Sequence, residues 1–113
     1  MGFVRKDDVM TFCVVYITTK NLAEARKISK MLVQKKLVAC ANIIPKIESM
    51  YMWKGKVRYH NESLIICKTM KTLRKRVVAE VKKIHDYDVP CVTFLDVDGG
   101  NPEYLRWVEM VTK

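Results

Sequence analysis

The run Phe12-Cys13-Val14-Val15-Tyr16-Ile17-Thr18-Thr19 is β-branched and aromatic throughout. Its unbroken apolarity predicts a central strand covered on one face and partly on the other. Asn21 then caps a helix, with Glu24 placed to reach back as in a capping box. Leu22, Ala25, Ile28, Leu32 and Val33 share one stripe of that helix, and Arg26, Lys27, Lys30 and Lys35 take the other. From Val38 to Trp53 the residues are again extended by type, and Pro45 inside that run implies a bulge, a bend or an edge position. Lys54-Gly55 reads as a turn, and Lys56 to Thr69 returns as a strand, making a long hairpin. Leu73, Val77, Val81 and Ile84 follow with helical spacing, and Arg74, Lys75, Lys82 and Lys83 lie outside them. Cys91 to Val97 is a further strand, broken at Gly99-Gly100. Asn101-Pro102 opens a last helix with Leu105, Val108 and Trp107 on its apolar side.

The predicted order is strand, helix, strand, strand, helix, strand, helix. Its first six elements are a split βαβ unit, an α+β fold in which an antiparallel sheet carries both long helices on one face. One domain over residues 1–113 accounts for the whole pattern, with residues 1–10 expected to be flexible. The hairpin is too long for such a domain. A strand from Ile43 to Trp53 runs roughly 35 Å at ~3.4 Å per residue, against a radius of gyration of about 13 Å for a compact chain of this length. A free tip bearing Met50, Tyr51, Met52 and Trp53 would invite aggregation, so the pattern calls for a closed oligomer.

Charge changes the picture less than it first promises. The 113 residues carry 21 basic and 12 acidic side chains, a net +9, and the excess lies on the outer faces of the two long helices. Nucleic-acid binding through those faces is the alternative reading. It is weakened because Leu64-Ile65-Ile66-Cys67 occupies the strand where an RNA-recognition module needs stacking aromatics. No apolar run approaches the ~18 residues of a membrane span, and no secretory signal pattern opens the chain, so a cytoplasmic protein without a membrane partner is expected. Cys13, Cys40, Cys67 and Cys91 lack the spacing of a zinc or redox site and read as packed thiols. No G-x-S-x-G, phosphate-binding loop or dinucleotide turn is found, which argues against an enzyme.

Several stretches are more specific. Leu37-Val38-Ala39-Cys40-Ala41-Asn42-Ile43-Ile44-Pro45 and Ser49-Met50-Tyr51-Met52-Trp53-Lys54-Gly55-Lys56 resemble the two hallmark segments of the CutA family, the divalent-cation-tolerance proteins. Glu62 ahead of Leu64 to Thr69, His85-Asp86-Tyr87-Asp88-Val89-Pro90, and Gly100-Asn101-Pro102-Glu103-Tyr104-Leu105-Arg106-Trp107 continue the match, which covers about residues 12 to 108. The resemblance implies a ferredoxin-like subunit in a homotrimer, with an architecture similar to the PII signalling proteins. It also implies a binding or regulatory role in response to metal ions such as copper, and no enzymatic activity. It further implies a cleft between subunits lined by Trp53, Glu62, Lys68, Tyr87 and Tyr104; Lys68, ending an apolar strand, must snorkel outward or meet an anion, so the cleft is read as holding a small anionic ligand or as an interfacial ion pair with aromatic packing. No cofactor is required. For a divalent metal such as copper the resemblance points to His85, with Asp86 and Asp88 beside it; at its helix end the same imidazole can instead complement the dipole or cap carbonyls, and Cys40 reads as a packed thiol or a soft donor. Where some bacterial members carry further ligands, this chain has Ile17 and Ile84.

Overall fold

The computed structural model describes residues 11–112, and the expected flexible stretch 1–10 lies outside the described residues. The described chain runs β1 (Phe12–Thr19), α1 (Leu22–Gln34), β2 (Cys40–Trp53), β3 (Lys56–Met70), α2 (Arg74–Ile84), β4 (Val92–Asp96) and α3 (Pro102–Val111). A 3-10 turn at Lys71–Leu73 leads into α2. The strands form one antiparallel sheet in the order β2-β3-β1-β4. This is the α+β, ferredoxin-like split βαβ arrangement with a C-terminal helix.

The alternation of a pleated strand sorts its side chains between two environments. Val15 and Ile17 of β1, with Ile65 and Cys67 of β3, pack under Ala25, Ile28 and Leu32 of α1 and under Val77 and Val81 of α2. Both long helices therefore cover the same face. Val33 was expected on the buried stripe but is 42% exposed. It lies about 100° around the helix from Leu32, which takes the inward position. Trp107 is likewise exposed, two residues from Leu105 and so on the far side of α3.

The opposite face of the sheet is covered only at one end, where Leu105 and Val108 of α3 pack on Phe12 and Ala39. Along the remainder Tyr16 and Ile66 are half-buried, while Ile44 and Leu95 are exposed. The β2–β3 hairpin projects past this body, and the molecule measures 52 × 25 × 23 Å with a radius of gyration of 15.1 Å. The hairpin closes on Lys54 and Gly55, both with positive φ, as a two-residue turn that matches strand twist requires. Met50 and Val57 near its tip are about 70% exposed.

Candidate functional site

The local geometry starts at Pro45. Ile44 pairs with Leu64 and Ile47 with Glu62, so Pro45 and Lys46 stand opposite Ser63 alone. This is a β-bulge on an edge strand, where a missing N–H is tolerated. The Ser63 hydroxyl donates to the Pro45 carbonyl at 2.6 Å and satisfies it. The extra residue also exchanges the faces of β2. Before the bulge Asn42 and Ile44 share the open face with Ile66 and Leu64; beyond it Ile47, Ser49, Tyr51 and Trp53 join that face, beside Glu62 and His60. The aromatic half of the hairpin is thereby aimed across the open face.

There it closes a cleft of about 630 Å³. Tyr16 and Thr18 of β1 form its floor, Ser49, Tyr51, Trp53, His60 and Glu62 come from the hairpin, and Asp86, Tyr87 and Asp88 come from the loop between α2 and β4. Glu62 is the buried charge of the site, at 8% exposure. The Tyr87 hydroxyl donates to its Oε2 at 2.7 Å. Burial, then that bond to Glu62, pushes the Tyr87 phenol well above its ordinary range. Asp86 pairs with Lys20, whose ammonium holds the Asp86 carboxyl below its usual range. The lining contains no lysine or arginine, so the cleft is acidic on a chain of net charge +9. Within one chain that lining offers an anion no ammonium or guanidinium partner.

The loop that carries Tyr87 is held from beneath. His85 is buried, with Nε2 2.9 Å from the Thr18 carbonyl and Nδ1 3.1 Å from the Tyr87 backbone nitrogen. Nε2–H donates to the former and Nδ1 accepts from the Tyr87 N–H. Glu24, also buried, overshoots its own cap. Its carboxylate accepts from the Lys20 N–H at 3.0 Å and from the Asp86 N–H at 2.8 Å, while Asn21 Oδ1 accepts from the Glu24 N–H at 2.9 Å. The end of β1, the start of α1 and the loop between α2 and β4 thus meet on one carboxylate.

Within one chain these residues do not fit a divalent metal. Both His85 ring nitrogens are committed to hydrogen bonds, so coordination at either would break one of them. The Cys40 sulfur lies 3.4 Å from the Tyr104 hydroxyl, and among the described residues no three His, Cys, Asp or Glu side chains converge. Of the residues expected in one cleft, Trp53, Glu62 and Tyr87 are brought together. Within this one chain Lys68 and Tyr104 lie apart from them. Lys68 sits about 20 Å along β3 from Glu62, where it donates to Asn42 Oδ1, and Tyr104 sits with Cys40. Burial and the Cys40 contact raise the Tyr104 phenol to about 12. Tyr16, Tyr51 and His60 were not expected among the cleft residues. Tyr51 and His60 are legible only once the bulge has set the register.

A family model described as CutA1 divalent ion tolerance protein matches residues 13–111. The chloroplastic CutA protein of Arabidopsis thaliana is 43% identical over 100 residues, covering 88% of this chain and 55% of that protein. The chain therefore spans about half the length of this relative. The crystal structure of CutA1 from Oryza sativa superposes with a TM-score of 0.90 at 40% identity, covering 94% of this chain and 97% of that one. The periplasmic divalent cation tolerance protein CutA of Archaeoglobus fulgidus gives 0.88 at 36% identity, covering 90% and 99%. These names span two compartments and denote no catalytic activity. Among the described residues no helix is long and apolar enough to cross a membrane.

Proposed function

The chain belongs to the CutA1 divalent ion tolerance family, and from that premise we propose that it works as a non-enzymatic homotrimer holding a small ligand in the cleft under its hairpin. The observation that carries this reading is the cleft itself: about 630 Å³, within the range of small-molecule sites, with aromatic walls and one buried carboxylate. The overhanging hairpin supports assembly, since its apolar tip lies beyond the reach of its own core. A role as sensor or carrier follows from a site that binds without a nucleophile, base and orienting group in register. The cytoplasm suits the four unpaired cysteines. Nucleic acid is not the favoured partner, because the basic helix faces point away from the cleft and Lys35 and Lys83 are already paired with Glu80.

Light scattering tests the assembly. A mass three times the 13.2 kDa of one chain is expected, and a monomer would overturn it. Thermal-shift screening of a metabolite panel against wild type and Trp53→Leu tests the cleft. Stabilising compounds should lose their effect in the variant, and compounds acting equally on both would place binding elsewhere.

A further inference from the structure

Resting on that reading of the cleft, we infer that its ligand is a small organic cation, an alkylammonium or a similarly weakly hydrated positive group. The first reason is an unbalanced charge. Glu62 is more than nine-tenths buried and lines the cleft, yet its recorded partner is the neutral Tyr87 hydroxyl. Among the described residues no lysine, arginine or histidine is ion-paired with it. A buried carboxylate without a cation is costly, and a cation entering the cleft removes that cost. The second reason is the walls. Tyr16, Tyr51, Trp53 and Tyr87 surround the same space, and aromatic faces attract cations through the ring quadrupole, indole most strongly.

The same features select among cations. A divalent metal keeps its hydration and wants several oxygens, whereas here Glu62 is one buried carboxylate, Asp86 is paired with Lys20, and among the described residues no three His, Cys, Asp or Glu side chains converge. Ring faces cannot replace that water. An organic cation sheds its weaker hydration readily and offers the apolar surface that the rings prefer. The competing occupant is a basic side chain from a second copy of this chain, which would neutralise Glu62 permanently.

The experiment uses the intact oligomer in a Trp107→Phe background, so that Trp53 is the remaining indole. Tetramethylammonium chloride, its neutral counterpart tert-butanol and sodium phosphate are titrated at constant ionic strength, with Trp53 fluorescence and calorimetry as readouts. Tetramethylammonium should bind at least about tenfold more tightly than tert-butanol, with phosphate inert. Glu62→Gln should weaken the cation by about tenfold or more. The comparison of probes on unaltered cleft residues stands even if that variant folds poorly. Equal binding of tert-butanol, preference for phosphate, or no binding while acrylamide still quenches Trp53 would overturn the cation and leave the cleft reading intact. No binding together with a Trp53 shielded from acrylamide would mean that a neighbouring copy fills the space, and would overturn both.

Discussion

Replacing Glu24 with alanine should unfasten three parts of the chain at once. Its carboxylate accepts from the Lys20 and Asp86 backbone amides at 3.0 and 2.8 Å, bonds that join the end of β1 to a loop lying 62 residues beyond Glu24 in sequence. A hydrogen bond to a charged group contributes ~1.5–3 kcal/mol. Both bonds are only partly buried, and the freed amides regain some water, so the low end applies to each. The sum is a loss of ~3 kcal/mol, a large share of an ordinary domain's ~5–15 kcal/mol. Glu24→Gln keeps one acceptor oxygen and should lose about half of that. Urea denaturation at fixed protein concentration measures both, because assembly couples stability to concentration. Hydrogen exchange adds the specific readout: the Lys20 and Asp86 amides should lose protection. An alanine variant within ~0.5 kcal/mol of wild type would refute the reasoning. So would a stability loss with the Asp86 amide still protected, because the effect would then belong to the helix cap alone.

Ile28→Ala should cost ~3 kcal/mol in the same assay, since Ile28 is fully buried in the core, whereas Val33→Ala should stay within ~0.5 kcal/mol; equal effects would contradict the observed burial. Lys35 and Lys83 pull the Glu80 carboxyl from its ordinary 4.5 to about 2. Because the folded value is the lower one, this contribution is complete above the unfolded value near 4.5 and is lost as pH falls through about 2. NMR titration should place the Glu80 midpoint near 2, and Lys35→Met should raise it. The Cys67 thiol, pushed up to about 12 by burial, should resist iodoacetamide at neutral pH until denaturant is added, and rapid labelling of native protein would refute its placement. Copper titrated calorimetrically should bind His85→Ala as it binds wild type, while that variant unfolds at lower urea; loss of copper binding with unchanged stability would restore the imidazole as a donor.

Local pattern was enough to specify the elements and their order. Period-3.6 spacing is imposed by burial on one side, so Ile28, Leu32, Val77 and Val81 could be assigned inward from their spacing alone, whereas the unbroken apolarity of β1 marked a central strand without choosing Val15 and Ile17 as its helix-facing side. Asn21 and Asn101 declared their helix starts, because capping involves neighbours in sequence. The excess length of the hairpin was also legible, since strand rise is nearly constant. The family motifs marked Trp53, Glu62 and Tyr87.

What the chain could not announce depends on register and on distant partners. Pro45 signalled an irregularity, but only the pairing of Ile44 with Leu64 and Ile47 with Glu62 decides that one extra residue turns Tyr51 and Trp53 onto the open face. Glu24 read only as a cap because its second role, accepting from Asp86, depends on a distant loop, and His85 read as either a helix-end residue or a metal donor until Thr18 and Tyr87 were found at its two nitrogens. Lys68 and Tyr104 were expected in a cleft between subunits; within one chain the strand rise sets Lys68 about 20 Å from Glu62. The net charge of +9 raised nucleic acid as a partner, yet the charge around a cleft is set by what lines it, and there the fold has gathered Glu62, Asp86 and Asp88. Composition adds charges over the whole chain, whereas Coulomb attraction falls with distance and is screened by salt, so only the tertiary structure decides which sign the ligand meets.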